Sequence, residues 1–327
     1  MRAAKASGAP LRYYGSKTAE ADEKRGVVED TEGRVAAQDF SKEEPRDLGA
    51  DRVVCPICPR ACALVEGQTG LCRARVAEGG EVVDANYGRI TSLALDPIEK
   101  KPLARFRPGS KVLSVGSYGC NLRCPFCQNA SIACAGESDV PWREIAPAEL
   151  VDAAVSLAPE GNIGLAFTYN EPLVGLEFVC DTARLAHERG LANVLVSNGY
   201  VNDGPLHEVA PFIDAANIDL KGFTQDFYDL VGGDLTTVKH AMEVLAATPT
   251  CHLEVTTLVI PGLNDSEQEI AEAAQWLASL DPSTPYHLTR FFPCHRLTDR
   301  PATPPETVHH LANIAGRYLK HVYVGNC

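Results

Sequence analysis

Beyond residue 110 the chain alternates between two kinds of apolar pattern. Short runs of consecutive apolar residues are typical of strands buried on both faces, and apolar positions recurring every three to four residues are typical of helices. The predicted strands are Lys111–Val115, Ile163–Phe167, Asn193–Val196, Ile213–Ile218, His252–Ile260, Tyr286–Phe291 and His321–Val324. The predicted helices are Ala148–Leu157, Leu173–Glu188, Thr236–Ala247, Ser266–Leu280 and Glu306–Leu319. This alternation predicts an α/β fold with a mainly parallel sheet, most simply a partial (β/α)6 barrel, with a doubly wound open sheet as the alternative.

Two shorter stretches precede this region. Residues 1–50 are rich in charge and lack apolar periodicity, which predicts a flexible N-terminal arm. Residues 51–109 hold four cysteines and two short strand-like runs, Glu81–Val83 and Arg89–Ala94, among many Pro and Gly residues. This second stretch is too short to build a good core alone, which favours a small Cys-rich metal-binding module. We therefore expect three parts, 1–50, 51–109 and 110–327.

The composition is that of an ordinary globular protein with one exception. The 327 residues are 45% hydrophobic and 22% charged, and their net charge of −13 argues against a nucleic-acid partner. No apolar run reaches the ~18 residues of a membrane helix, and the N-terminal residues lack the apolar stretch of a secretory signal. The exception is the twelve cysteines, most of which fall in two clusters. We expect a cytoplasmic protein, in which such clusters indicate metal or iron–sulfur sites rather than disulfides.

The more informative cluster is a Cys-x3-Cys-x2-Cys motif directly after the first strand of the α/β region. Cys120, Cys124 and Cys127 place three thiolates, which are soft ligands for iron–sulfur clusters or zinc, on one short loop. Three thiolates hold three corners of a [4Fe–4S] cluster and leave the fourth iron open to an exogenous ligand. The alternative is a four-cysteine zinc site completed by Cys134.

This loop resembles the cluster motif of the radical S-adenosylmethionine (SAM) superfamily, in which an aromatic residue, here Phe126, precedes the last cysteine. The wider match includes the stretches VCPICPRAC, DPIEKKPL, GSYGCNLRCPFCQNASIA, FTYNEP and IDLKGF. These are similar to the radical SAM protein of the AmmeMemoRadiSam system, a group itself similar to pyruvate formate-lyase activating enzymes. The resemblance implies a radical SAM partial (β/α)6 TIM barrel. It also implies an enzyme whose open iron binds the amino and carboxylate groups of SAM, and whose reduced cluster cleaves SAM to a 5′-deoxyadenosyl radical and methionine.

The resemblance further implies SAM-binding positions at strand ends, where a barrel places its chemistry. Asn170 and Glu171 occupy the place of the family's Gly-Gly-Glu-Pro segment, which binds the SAM ammonium. Here Tyr169 and Asn170 replace the two glycines, so a different backbone path is expected. Ser197 and Asn198 are candidates for ribose or methionine contacts, with an ordinary polar turn as the alternative.

Two further strand ends carry titratable candidates. Asp219 and Lys221 alternate onto one side of a strand and suit the ammonium and carboxylate of SAM, and the alternative is a salt bridge that caps the strand. His287 lies where the similar activating enzymes have a histidine that contacts SAM, and the alternative is a satisfied core histidine.

Cys55, Cys58, Cys62 and Cys72 form a second metal candidate with Cys-x2-Cys-x3-Cys-x9-Cys spacing. Four thiolates so spaced suit either a tetrahedral zinc site or an auxiliary [4Fe–4S] cluster, and the sequence does not choose between them.

The leading hypothesis for function is a radical SAM enzyme acting on an unidentified substrate. A variant of it is an activase that installs a glycyl radical on a partner protein, and a different class is a non-catalytic iron–sulfur or zinc protein that carries electrons or scaffolds a complex. The expected partners are SAM, an electron donor such as ferredoxin or flavodoxin, and a protein substrate or the companion proteins of the AmmeMemoRadiSam system. Neither a nucleic acid nor a membrane is expected.

Overall fold

The computed structural model of the protein describes residues 52–327, and the arm predicted for residues 1–50 lies outside this range. The strands are β1 Val53–Val54, β2 Ala63–Leu64, β3 Arg75–Glu78, β4 Glu81–Asp84, β5 Arg89–Ile90, β6 Ser92–Pro97, β7 Lys111–Gly116, β8 Arg143–Glu144, β9 Asn162–Phe167, β10 Ala192–Ser197, β11 Ala215–Asp219, β12 His252–Val259, β13 Tyr286–Arg290 and β14 Val322–Gly325. The α-helices are α1 Ala130–Ala133, α2 Pro147–Ser156, α3 Leu176–Glu188, α4 Asp203–Val209, α5 Gln225–Val231, α6 Leu235–Ala247, α7 Glu267–Leu280 and α8 Pro305–Ala315. Within residues 52–327 no helix combines the length and apolar composition needed to cross a membrane.

An eight-stranded sheet lies at the centre of the fold, in the order β14-β13-β12-β11-β10-β9-β7-β6. Strand β7 and strands β9 to β14 run parallel, and β6 pairs antiparallel with β7 at one edge. The parallel strands follow one another in chain order, whereas the doubly wound alternative predicts a point at which the order reverses. The protein is therefore an α/β fold around a sequentially wound, mainly parallel sheet.

The strands and helices predicted beyond residue 110 are present with shifted ends. Helices α1, α4 and α5 are missing from the prediction, because seven residues or fewer are too few to establish a helical period. The run Arg89–Ala94, predicted as one strand, is divided between β5, which pairs with β8, and β6, which pairs with β7. The chain changes partner at Thr91, whose N–H donates to the Gly116 carbonyl at 2.9 Å.

The two faces of the sheet differ in polarity, because side chains alternate between them along each strand. The outer face is apolar and packs against the helices in the main hydrophobic core. Its fully buried members include Leu113, Leu165, Leu195, Val255 and Leu288. The inner face carries polar side chains on adjacent strands. Its polar members include Asn217, Asp219, Glu254, Thr256 and His287.

Residues 98–106 cover the inner face near the N-terminal ends of the strands. Ile98 and Leu103 of this segment are fully buried against β7, β9, β10 and β11. The Asn217 side chain donates to the Pro102 carbonyl at 2.8 Å. This segment contains most of the DPIEKKPL stretch, so the structure gives that stretch a packing role. It closes the lower part of the inner face and leaves the end near the strands' C-termini for chemistry.

Buried Glu254 anchors this segment to the sheet. Its carboxylate accepts the backbone N–H groups of Ala104 and Arg105 at 2.9 and 2.8 Å. It also pairs with His252 at 2.9 Å and with His287 at 2.6 Å. Burial alone would raise the pKa of Glu254, but these four donors lower it to about 2. The negative charge of Glu254 is therefore part of the folded structure.

The pH dependence of stability tests this role of Glu254. A carboxyl whose folded pKa lies below its usual 4.5 stabilises the fold above pH 4.5, and this contribution is lost as pH falls toward about 2. We expect Glu254→Gln to lower the free energy of unfolding at neutral pH by roughly 3 kcal/mol, with the difference from the parent protein shrinking as pH falls through that window. Denaturant unfolding of the metal-free protein measures both.

The matched control is Glu267→Gln. Glu267 also pairs with a histidine, with 2.8 Å between its Oε1 and His310 Nε2, but this pair lies on the surface. Its effect should stay below about 1 kcal/mol. Equal losses in the two variants would contradict the assignment of Glu254.

Candidate functional site

The cysteines of the Cys-x3-Cys-x2-Cys motif lie on the loop after β7. Burial raises the pKa of the Cys124 thiol to about 11 and also raises the pKa values of Cys120 and Cys127. The charges of neighbouring thiolates of the loop add to this rise. The Leu122 N–H and the Asn198 amide donate toward the Cys120 sulfur at 3.4 and 3.6 Å. Three partly buried soft donors, with N–H groups directed at the Cys120 sulfur, fit the ligands of an iron–sulfur cluster.

Gly119 allows the loop to approach the first cysteine group. Its φ of +91° lies in the region that favours glycine, and a Cβ there would lie 2.6 Å from the Cys72 carbonyl oxygen. The next residue, Cys120, donates its N–H to that same oxygen at 3.2 Å. The backbone of one cysteine group is therefore hydrogen-bonded to the backbone of the other.

The Asn170 side chain braces the backbone that leads into the motif. Its Oδ1 accepts the Ser117 N–H at 3.0 Å, and its Nδ2 donates to the carbonyls of Tyr118 and Gly119, each at 3.1 Å. The side chain is thus engaged with the protein's own backbone. The sequence assigns Asn170 to the SAM ammonium, whereas the structure gives it a role in positioning the loop.

Tyr169 adopts a backbone conformation that usually requires glycine. Its φ is +74°, so the chain keeps a glycine-like path where the family has Gly-Gly. Its hydroxyl donates to Asp96 at 2.7 Å, and Lys101 Nζ lies 4.6 Å from the centre of its ring. Lys101 in turn pairs with Asp96 at 2.9 Å. These contacts join the FTYNEP segment to the DPIEKKPL stretch and stabilise the unusual conformation.

Glu171, Ser197 and Asn198 meet at the ends of β9 and β10. The Glu171 carboxylate accepts from Ser197 Oγ at 2.8 Å, from the Asn198 N–H at 2.8 Å and from the Leu173 N–H at 3.0 Å. Burial raises the pKa of Glu171 to about 6, although these three donors oppose the rise. The structure therefore brings three predicted site residues together beside the cysteine loop, where Glu171 ties two strand ends.

Asp219 and Lys221 form a salt bridge at the end of β11, with 2.7 Å between Asp219 Oδ2 and Lys221 Nζ. Their side chains are 35% and 18% exposed, so both remain accessible to a ligand. Burial opposes the charge of Lys221, but Asp219 and the thiolates of Cys124 and Cys127 raise its pKa. The pair thus has the geometry of the predicted salt bridge and lies next to two of the loop cysteines.

His287 belongs to the buried network of the inner face. Its Nε2 lies 2.6 Å from Glu254, and its ring stacks on Tyr323 with 5.1 Å between centroids. This arrangement matches the alternative interpretation, a satisfied core histidine. Its neighbour Thr256, in register with both His287 and Asp219, has a buried hydroxyl with no hydrogen-bond partner among residues 52–327. Such a hydroxyl is free to contact a bound molecule, and the sequence signal for it is its place on the polar face.

Phe126 and Asn121 fix the motif to the rest of the fold. Phe126 is buried, with its ring 5.9 Å from that of Phe227 on α5. Asn121 donates to the Tyr200 carbonyl at 2.6 Å and accepts from Asn198 at 2.9 Å. Sequence reasoning missed Asn121, because a single sequence does not separate it from the other variable positions of the motif.

The first cysteine group lines one cavity. Cys55, Cys58, Cys62 and Cys72 all face it, together with Asn121 of the second motif. Burial raises the pKa of Cys58 to about 11 and also raises the pKa values of Cys55 and Cys72. In the described part of the chain, no three His, Cys, Asp or Glu side chains converge as the ligands of a single metal ion do.

Comparison with known proteins identifies relatives of this arrangement. Residues 114–277 match the family model of the Radical SAM superfamily. The chain is 40% identical over 283 residues to an uncharacterized protein of Methanocaldococcus jannaschii, across 85% of this chain and 83% of that protein. It is 25% identical over 179 residues to the pyruvate formate-lyase-activating enzyme of Clostridium pasteurianum, across 53% of this chain and 71% of that enzyme. The fold is similar to that of a radical SAM methyltransferase from Sphaerobacter thermophilus, with a TM-score of 0.52 and 19% identity over 67% of each chain.

The substitution Asn170→Asp separates a bracing role from a SAM contact. A carboxylate cannot donate to the Tyr118 and Gly119 carbonyls, so we expect a loss of roughly 2 kcal/mol in the free energy of unfolding without SAM. Denaturant unfolding measures the loss, with Asn313→Asp on the exposed side of α8 as the control. Unchanged stability combined with weaker SAM binding would instead support the direct contact.

Proposed function

This chain belongs to the radical SAM superfamily, and we propose that it cleaves SAM reductively at a [4Fe–4S] cluster held by Cys120, Cys124 and Cys127. The observation that carries this proposal is that Lys221, in the accessible Asp219–Lys221 pair, lies near enough to two thiols of the loop for its charge to lower the pKa values of Cys124 and Cys127. When bound, such a cluster supplies one electron to the sulfonium of SAM, and cleavage of a carbon–sulfur bond gives methionine and a 5′-deoxyadenosyl radical.

The chain's own residues bind and orient SAM in this proposal. Lys221 pairs with the carboxylate of the methionine part, and Asp219 accepts a hydrogen bond from its amino group, which is neutral when it ligates the iron. The free hydroxyl of Thr256 offers a further hydrogen bond on the same face. Glu171, Ser197 and Asn198 hold the strand ends beside Cys120, and Asn198 donates toward its sulfur.

The finer identity of the protein is also a proposal. The sequential order of the parallel strands supports a partial (β/α)6 TIM barrel. The DPIEKKPL and FTYNEP stretches support membership of the AmmeMemoRadiSam group, and with it companion proteins or a protein substrate. We further propose a ferredoxin or flavodoxin as electron donor, a cytoplasmic location, and a metal-binding module over residues 51–109 that holds zinc or a second [4Fe–4S] cluster.

A second candidate function is that of a glycyl-radical activase. It is favoured by the 25% identity to the pyruvate formate-lyase-activating enzyme of Clostridium pasteurianum. Electron paramagnetic resonance of a partner protein after incubation with the loaded enzyme and SAM distinguishes it, because only an activase leaves a stable backbone radical on the partner. The non-catalytic alternative, an electron carrier or scaffold, predicts no binding of SAM by the cluster-loaded protein.

Cysteine variants test the ligand set of the loop. Alanine at Cys120, Cys124 or Cys127 should abolish 5′-deoxyadenosine formation by anaerobically reconstituted protein with dithionite and SAM. Cys134→Ala is the matched control, since Cys134 lies close enough to influence the pKa of Cys127 and would complete a four-cysteine site. It should keep both the product and the iron content. A loss of iron in Cys134→Ala, or zinc at this loop, would contradict the proposal.

Calorimetry of SAM binding tests the charged pair. Lys221→Met should weaken SAM binding at least ~10-fold on cluster-loaded protein, because it removes a charge-assisted bond to the carboxylate. Lys320→Met, on the exposed surface, is the control and should bind as the parent does. Equal affinity in parent and Lys221→Met, at equal iron content, would remove Lys221 from the site.

A further inference from the structure

We infer that Cys55, Cys58, Cys62 and Cys72 bind a second iron–sulfur cluster, placed to exchange electrons with the cluster proposed for the 120–127 loop. This inference rests on the proposed function for the existence of the cluster on the 120–127 loop. The evidence for a cluster on the first cysteine group is separate and is given below.

The four thiols are arranged around one enclosed space. Although they are spread over eighteen residues, all four line the same cavity. The Cys55 N–H donates to the Cys62 carbonyl at 3.0 Å, next to the short β1–β2 pairing, which brings these two cysteines together. Four thiols of this kind, three of them buried and that of Cys62 partly buried, are a ligand set for an iron–sulfur cluster or zinc.

A buried cation lines the same cavity. Arg75 is only 2% exposed, and its terminal nitrogens bond Glu177 at 2.7 Å and the Val82 carbonyl at 2.8 Å. Its Nε, also buried, has no hydrogen-bond partner within residues 52–327. An unused N–H donor and a positive charge beside the thiols fit an anionic metal centre whose sulfurs accept hydrogen bonds.

The thiols of the first group do not form a preformed site for a single zinc ion. A structural zinc site brings all four sulfurs to about 2.3 Å from a single ion. In the part of the chain that the structure describes, no three potential ligands converge in that way. The cysteines of the 120–127 loop do not converge in that way either, although the match to the radical SAM family implies a [4Fe–4S] cluster there. The two groups are therefore alike in that neither converges on the position of a single metal ion.

The two cysteine groups are in direct contact. Cys72 accepts the N–H of Cys120 at 3.2 Å, so one peptide hydrogen bond joins a ligand of each group. Asn121 lines the cavity of the first group and accepts from Asn198, whose amide lies 3.6 Å from the Cys120 sulfur. Two short routes of bonded atoms therefore connect the two sites.

Through this contact, the cluster on the first cysteine group passes electrons to the loop cluster. A low-potential protein donor of the ferredoxin or flavodoxin class loses one electron, and the second cluster gains it. That electron passes to the loop cluster, which returns the second cluster to its oxidised state. No bond forms or breaks and no proton moves until the electron reaches the carbon–sulfur bond of SAM.

Metal analysis of two complementary variants tests the inference. The triple variant C120A/C124A/C127A keeps only the first group, and C58S/C72S keeps only the loop. After anaerobic reconstitution with iron and sulfide, we expect about eight irons per chain in the parent and about four in each variant. Cys327→Ser, which removes an exposed thiol, should match the parent. Electron paramagnetic resonance after dithionite should show broadening by spin coupling in the parent and a simple signal in the triple variant.

The outcomes separate this inference from the proposed function. Zinc, or no metal, in the triple variant would overturn the second cluster, while about four irons in C58S/C72S would leave the loop cluster standing. Conversely, four irons in the triple variant and none in a folded C58S/C72S protein would overturn the loop cluster alone. If C58S/C72S does not fold, the iron and zinc content of the triple variant decides the inference by itself.

Discussion

The presence of three partly buried thiols on one short loop is the constraint on which the rest of the site depends. Burial and mutual repulsion both raise the pKa values of these groups, so a metal must replace their protons before they become ligands. Several groups of the protein lower the free-energy cost of deprotonating these thiols. Lys221 lies beside Cys124 and Cys127, and N–H donors reach the Cys120 sulfur. Asn170 and Gly119 then hold the loop in the path that these contacts require.

The two ends of the inner face of the sheet have different roles, one structural and one chemical. Near the N-terminal ends of the strands, residues 98–106 and Glu254 fill the space with packed side chains and satisfied hydrogen bonds. Near the C-terminal ends, the Asp219–Lys221 pair and the Thr256 hydroxyl remain available beside the cysteine loop. Tyr169 connects the two regions, since its backbone lies beside Asn170 while its hydroxyl reaches Asp96. Direct contacts of Tyr169 therefore link the lower region to the loop above it.

The sequence predicts the elements and the family better than it predicts the partners of single side chains. Apolar runs identify the strands because parallel strands are buried on both faces, and the cysteine spacing identifies the loop. Asn170 shows the limit: its amide serves three backbone groups of residues 117–119, and no pattern in the chain reveals contacts formed only after folding. His287 is similar, because its partner Glu254 lies on another strand. The glycine-like φ of Tyr169 is equally hidden, since it depends on distant Asp96 and Lys101.

The central claim is that the protein leaves one iron of the loop cluster for SAM to ligate. Electron–nuclear double resonance on the reduced, cluster-loaded protein tests it most directly, with SAM isotope-labelled in its amino nitrogen and carboxylate oxygens. The account predicts hyperfine coupling from both labels to the cluster, in the parent and in Cys134→Ala alike. A fully loaded cluster that shows no coupling to either label would mean that every iron is already held by the protein, and would contradict the account.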